Sequence, residues 1–215
     1  MPLYRRVRRV FTLQSPATDY KRVISFLESR SVEDVAHVHG NMLPHLEGTF
    51  ELLQKWGNPA PLCIAGLCHS VYGTDNFEVA ILDVSQRDEL RALIGPEAEA
   101  IVYLFASCDR RHLYEQVGRS SPIQIRNRFT GEVFVPDSLS LKMFFELTFA
   151  NELQLVGSNA AWIESSRPMF ESLFTRCRGL VSEAAYAHFA HVYGGVHDVQ
   201  LVNQTRSARP AQETI

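Results

Sequence analysis

Three side chains of the metal-binding type lie far apart in the first half of the chain: His45, His69 and Asp109. His45 opens a predicted amphipathic helix, and His69 follows a run of small and apolar residues typical of a buried helix end. Asp109 lies late in a longer predicted helix. Because each residue lies in or directly after an apolar segment, all three can face one interior. Two imidazoles and one carboxylate form a competent ligand set, so the sequence predicts one divalent metal ion, Mn, Zn or Fe.

Each of these residues also has an ordinary structural explanation. A buried histidine needs a hydrogen-bond acceptor, a carboxylate or a metal, and a hydrogen bond alone is sufficient. Asp109 precedes Arg110 and Arg111, a pattern that is also typical of an exposed ion pair. Either arginine can instead bind a phosphate or carboxylate through two parallel hydrogen bonds. We predict this catalytic role for Arg110, whereas Arg111 can pair with Glu115 one helical turn later.

The hydrophobic pattern predicts a mostly α-helical fold, a single bundle with one short β-hairpin excursion. The predicted helices span residues 19–29, 44–56, 59–70, 85–95, 96–115, 138–156, 162–178 and 182–193. Residues 123–135 alternate as in a hairpin, residues 31–41 are predicted to form a loop or a short turn, and Ser85 with Asp88 is typical of a capping box. Glu146, Asn151 and Glu152 interrupt an apolar helix face, where they either line the far wall of a pocket or face solvent.

Length and composition favour one soluble globular domain. The 215 residues divide into an N-terminal lead-in (1–18), one helical domain (19–198) and a flexible tail (199–215). A net charge of −3 gives no general attraction to nucleic acid, and no apolar run is long enough to span a membrane. The four cysteines form no CxxC pair, which favours buried reduced thiols and a cytoplasmic location.

The order of the candidate residues resembles the HD-domain superfamily of helical, metal-dependent phosphohydrolases, and the resemblance covers roughly residues 40–115. The segment Ala65-Gly66-Leu67-Cys68-His69 is similar to a motif of the alarmone-hydrolase branch, and Asp109-Arg110-Arg111-His112 preserves its Asp-Arg-x-His pattern. The segment His69-Ser70-Val71-Tyr72-Gly73-Thr74 also resembles an HD-like family with a His-Ser-x-Tyr-Gly-Thr motif, from which no activity carries over. The resemblance implies an HD-like bundle with His45, His69 and Asp109 as metal ligands.

One departure from the superfamily pattern changes the expected metal site. Ser70 stands where the superfamily has its signature Asp, and a hydroxyl cannot bridge two metals as a carboxylate does. We therefore expect a mononuclear site or none, with His37, in preference to His39, as a substitute ligand or as a loop histidine. By the same resemblance, Asp75 can orient a water as general base, although its register is displaced by one residue. Tyr72 can donate a hydrogen bond to the substrate or pack the loop onto the core.

These expectations lead to three functional hypotheses. The first is a mononuclear metal-dependent hydrolase of a phosphorylated small molecule, such as a nucleotide. The second is an Fe(II)-dependent oxygenase on the same scaffold, and the third is a non-catalytic binding protein that lost its metal with the signature Asp. The expected partner is a small-molecule substrate, without nucleic acid or membrane, and a homo-oligomer is among the possible states.

Overall fold

Nine α-helices and four short strands make up the described part of the chain. The computed structural model describes residues 16–32, 35–37, 40–156 and 160–193. The helices are α1 (Pro16–Ser29), α2 (Met42–Lys55), α3 (Ala60–Cys68), α4 (Arg87–Ile94), α5 (Pro96–Ser107), α6 (Arg110–Tyr114), α7 (Ser138–Val156), α8 (Ala160–Arg176) and α9 (Glu183–Tyr193). The strands are β1 (Ala36–His37), β2 (Gly40–Asn41), β3 (Ile125–Arg126) and β4 (Val133–Phe134). The predicted mostly helical bundle with a short hairpin is confirmed.

Helices α3 and α7 form the centre of the bundle. In α3 every residue from Leu62 to Cys68 is buried, because the run is apolar on all sides. In α7 the residues from Phe144 to Ala150 are likewise all buried. Helix α2 packs against both central helices, and α5 also packs against both. Polar side chains that these helices carry inward therefore meet in the interior, where each needs a partner.

Gly66 lets α2 and α3 approach closely. A Cβ atom at this position would lie 2.6 Å from Cδ1 of Leu53, which no ordinary contact permits. A larger residue here would force the Leu53 side chain to shift, so glycine favours close packing of the two helices. This close approach brings the start of α2 beside the end of α3.

The hairpin predicted within residues 123–135 is present. Strands β3 and β4 are antiparallel, with Ile125 opposite Phe134 and Arg126 opposite Val133. A second, equally short antiparallel pair is formed by β1 and β2, where a loop or turn was predicted. Both pairs are only two residues long on each strand, so they serve as ordered connections between helices.

Two local predictions were wrong. The helix predicted over residues 96–115 is broken, because Cys108 is extended and forms a bridge with Asn127. Asp109 then caps α6 by accepting a hydrogen bond from the backbone N–H of His112 at 2.9 Å. The capping box before α4 consists of Asp83 and Gln86 rather than Ser85 and Asp88, so it opens a 3₁₀ turn two residues earlier.

Three further expectations concern the whole chain. All four cysteines are free and buried, as predicted. Within the described ranges, no helix combines the length and the apolar character that a membrane span requires. Most of the predicted N-terminal lead-in and the whole of the predicted tail, residues 199–215, lie outside the described residues.

Candidate functional site

His69 lies at the C-terminal end of α3 with its ring held in one orientation. The side chain is 1% exposed. Its Nδ1 lies 2.7 Å from the carbonyl oxygen of Gly66, which can only accept, so Nδ1 carries the proton. In the neutral ring this leaves Nε2 as an acceptor that points into the protein interior.

His45 lies in the first turn of α2 and meets His69 edge to face. The two rings are 5.1 Å apart at an interplanar angle of 84°. Nε2 of His45 lies 3.3 Å from Nε2 of His69 and 3.1 Å from Oδ1 of Asn151 on α7. Nδ1 of His45 contacts Oε1 of Gln154, one turn further along α7. We call His45, His69, Asn151 and Gln154 the histidine cluster.

The orientation of the Asn151 amide follows from its other contact. Its Nδ2 donates to Oε1 of Glu152 at 3.0 Å, so its oxygen is the atom that faces His45. If Nδ1 of His45 donates to Gln154 as Nδ1 of His69 donates to Gly66, three acceptor atoms converge: the two Nε2 nitrogens and Oδ1 of Asn151. Converging lone pairs repel unless a proton or a metal cation lies between them. A proton between the two Nε2 atoms satisfies this arrangement as a hydrogen bond, and a metal cation in its place would meet the same three acceptor atoms.

The spacing of the two nitrogens fits a single metal ion. Two nitrogens that each lie about 2.0–2.1 Å from one tetrahedral metal are about 3.3–3.4 Å apart. The observed separation of 3.3 Å agrees with this value. Hydrogen bonds from Nδ1 to fixed acceptors are also the usual way in which proteins orient metal-binding histidines. A donor set of His45, His69 and the oxygen of Asn151 is compatible with one cation, and the same 3.3 Å separation is also that of a hydrogen bond between the two rings.

Charged groups lie beside the histidine cluster. The guanidinium of Arg110 stacks over the ring of Phe105 at 4.5 Å, and the ring of His69 contacts the same phenylalanine at 5.5 Å. Burial raises the pKa of the Glu152 carboxyl to about 7, although Arg110 and the hydrogen bond from Asn151 lower it. Burial also raises the pKa of Tyr114, an effect that the charge of Arg110 opposes.

Asp109 contacts a different set of residues. One carboxylate oxygen accepts from the backbone N–H of His112, and the other forms an ion pair with Arg126 at 3.3 Å. Among the residues that the structure describes, no group of three His, Cys, Asp or Glu side chains is arranged to hold a metal ion. The two predicted histidines are thus brought together, and the oxygen beside them comes from Asn151 rather than from Asp109.

The remaining predicted residues have structural contacts. Oδ2 of Asp75 accepts from the backbone N–H of Arg110 at 3.1 Å, which ties the loop after α3 to the start of α6. The buried Tyr72 donates from its hydroxyl to Oε1 of Glu99 at 3.3 Å.

Arg111 pairs with Glu115 on the surface, as one alternative predicted. The side chain of His37 and all of His39 lie outside the described residues. The catalytic roles of Asp75 and Tyr72 stay predictions.

Helix α7 supplies residues that the motifs did not identify. Asn151 and Glu152 were identified as interruptions of an apolar face that either line the far wall of a pocket or face solvent, and Gln154 was missed. The available signal was the spacing: Asn151 and Gln154 are three residues apart and lie on one side of the helix. Glu146, a third interruption, is buried elsewhere and accepts from Asn58 at 3.0 Å and from the Ser182 hydroxyl at 2.6 Å.

Comparison with known proteins adds one finding. Residues 26–110 match the model of a domain of unknown function, DUF6817. The match covers less than half of the chain; it includes His45, His69 and Arg110 but ends before α7. Neither the curated proteins nor the solved structures contain a significant match.

Proposed function

We propose that this protein is a metal-dependent hydrolase of a small phosphorylated molecule, with one divalent cation held by His45, His69 and Asn151. The observation that carries the proposal is the convergence of two imidazole nitrogens and an amide oxygen in the protein interior. The 3.3 Å separation of the nitrogens supports one shared cation. The resemblance of the segments Ala65–His69 and Asp109–His112 to the HD superfamily points to the same reaction class.

Other residues of the chain hold the three proposed ligand side chains in place. The Gly66 carbonyl and the Gln154 amide hold the two rings, and Glu152 holds the amide of Asn151. These contacts preorganise the three donor atoms without distortion of the backbone. A divalent cation bound there would lower the pKa of a coordinated water and polarise a phosphoryl oxygen.

The choice of ligand atoms favours hydrolysis over the oxygenase hypothesis. Non-haem Fe(II) oxygenases use two histidines and one carboxylate. In the histidine cluster the oxygen that faces His45 belongs to the amide of Asn151, 3.1 Å from Nε2. A neutral oxygen leaves more positive charge on the metal, which suits activation of water and phosphate. The Fe(II) oxygenase and the non-catalytic protein are retained as outcomes of the experiment below.

The first experiment is elemental analysis of the purified protein, together with His45→Ala and His69→Ala variants. We expect close to one equivalent of Zn, Mn or Fe in the wild type and loss of most of it in both variants. His191→Ala is the matched control, because this histidine is exposed on α9. Circular dichroism checks that each variant keeps its helical content.

The second experiment tests the reaction. The protein is loaded with Zn, Mn, Mg or Fe(II) and incubated with a panel of nucleotides and phosphorylated metabolites, and phosphate or pyrophosphate release is measured. Activity that requires metal and His69 supports the proposal. A protein that holds no metal, and whose unfolding temperature is unchanged when metals are added, is the non-catalytic alternative. Oxygen consumption with Fe(II) and no phosphate release would indicate the oxygenase.

A further inference from the structure

We infer that Arg110 is a binding residue for the phosphoryl group of the substrate, in a site that accepts this anion even without metal. The inference deepens the proposed function, on which it rests only for the reaction that follows binding. The site consists of the Arg110 guanidinium where it borders Phe105, the ring that His69 also contacts.

The first observation is an incomplete hydrogen-bond arrangement around a buried cation. The side chain of Arg110 is 6% exposed. Its Nη1 atom is buried, and no part of the described chain accepts a hydrogen bond from it. Buried donors are almost always paired in folded proteins, and a charged donor without an acceptor is especially unfavourable. An anionic ligand would supply the missing acceptor.

The second observation is where this donor lies. Phe105 contacts both the guanidinium of Arg110 at 4.5 Å and the ring of His69 at 5.5 Å, so the cation and the histidine cluster border one aromatic ring. The backbone N–H of Arg110 is held by Asp75, which fixes the base of the side chain. The cation is therefore positioned within the same part of the interior as the histidine cluster, rather than on the outer surface.

The chemistry of the site favours a phosphoryl group over other anions. A phosphoryl group has three terminal oxygens, so one can accept from Arg110 while another faces the histidine cluster. A carboxylate has two oxygens on one carbon, and a bidentate arginine contact would use both. Guanidinium is also the usual partner of phosphate where several hydrogen bonds are made at once.

Titratable side chains lie near Arg110. The positive charge of Arg110 acts to lower the pKa of the Glu152 carboxyl and of the Tyr114 hydroxyl, although burial raises both. The side chain of Arg110 forms no ion pair among the residues that the structure describes. Its Nη1 atom still needs an acceptor, and a phosphoryl oxygen would provide it.

The test is calorimetric titration of inorganic phosphate into metal-free protein, with acetate at equal ionic strength as the comparison anion. We expect saturable phosphate binding by the wild type and at least tenfold weaker binding by Arg110→Gln. Arg111→Gln is the matched control, since it removes the same charge from the adjacent, exposed position; it should bind phosphate like the wild type. Phosphomonoesters in place of phosphate identify the larger ligand that the site accepts.

A second variant distinguishes binding from a purely structural role. Arg110→Met removes the unpaired donor but keeps most of the side-chain volume over Phe105. If Arg110 exists to bind an anion, the ligand-free variant should unfold at the same temperature as the wild type or higher. It should also lose the stabilisation that phosphate gives to the wild type. Lower unfolding temperature without any phosphate effect in the wild type would overturn the inference.

The two proposals fail in different ways. Phosphate binding that is identical in the wild type and Arg110→Gln would refute the role of Arg110 and leave the metal site untouched. Absence of metal from the purified protein would refute the hydrolase but not the anion site, because the titration is done without metal.

Discussion

Two buried polar regions of this protein, one around Glu99 and one around Arg110, differ in how completely their hydrogen bonds are satisfied. The carboxylate of Glu99 is fully buried and accepts from Arg87 at 2.6 and 3.0 Å, from Arg91 at 3.3 Å and from the Tyr72 hydroxyl at 3.3 Å. A carboxylate has about four acceptor positions, so this cluster is complete. The Nη1 atom of Arg110, which borders the same phenylalanine as His69, has no acceptor among the residues that the structure describes.

The difference indicates which cluster is structural and which is functional. A complete network stabilises the fold and leaves no group available to a ligand. A buried donor without an acceptor costs stability, and such costs are concentrated at sites where a ligand supplies the missing partner. We therefore expect substitutions at Glu99 to act on stability, and substitutions around His45 to act on binding.

The largest effect on stability is expected for Glu99→Ala. Loss of this carboxylate leaves Arg87 and Arg91 without their shared partner and should lower the free energy of unfolding by about 3 kcal/mol. The effect is at the low end of the usual range because both arginines are partly exposed. Urea denaturation measures it. Glu97→Ala, at an exposed position of the same helix, should change little, and equal losses in the two variants would contradict the comparison.

The next largest effect is expected for Gln154→Ala, on binding. This side chain holds the ring of His45, so its loss should weaken metal affinity about 10- to 100-fold with little change in stability. Competition with a chromogenic chelator measures the affinity. Gln54→Ala, at an exposed position on α2, serves as control. An unchanged affinity in Gln154→Ala would show that this amide does not orient His45 for metal.

A smaller effect is expected from the pH dependence of stability in metal-free protein. The pKa of Glu152 is raised from 4.5 to about 7, so the folded state binds a proton more tightly than the unfolded state. Stability should therefore fall as pH rises from about 4.5 to about 7, by roughly 1.5 kcal/mol after allowance for partial solvent exposure. Glu152→Gln should remove this fall, and Glu51→Gln, at an exposed position on α2, should keep it. A fall of the same size in Glu152→Gln would assign it to other groups.

The smallest effect is expected for Gly66→Ala. The added methyl group meets Leu53 and should destabilise by overpacking, while alanine gains helix propensity over glycine. The net loss should be about 1 kcal/mol, measured by thermal unfolding. Gly179→Ala is the comparison, because a Cβ atom there would meet nothing within 4 Å. A stabilised Gly66→Ala would show that α2 and α3 separate easily.

Local sequence patterns predicted much of the fold but only part of the site. Helix α7 was predicted with its observed bounds, because apolar residues occur at helical spacing along its whole length. His45 and His69 were identified by their residue type and by the apolar segments that carry them. The break before α6 was missed because the local sequence around Asp109 is compatible with a continuing helix as well as with a helix cap. The helix ends there because Cys108 forms a bridge with Asn127, which lies in a hairpin further along the chain.

Residue types and their spacing were enough to determine a mostly helical bundle, buried thiols and two histidines that face inward. These properties follow from hydrophobic periodicity and from the cost of burying polar groups, both of which are encoded locally. Only the tertiary structure decided that Asn151 and Gln154, rather than Asp109, surround His45, and that Arg110 is buried beside the same aromatic ring as His69. Such contacts join helices that are far apart in the chain, and their geometry depends on packing that short motifs do not record.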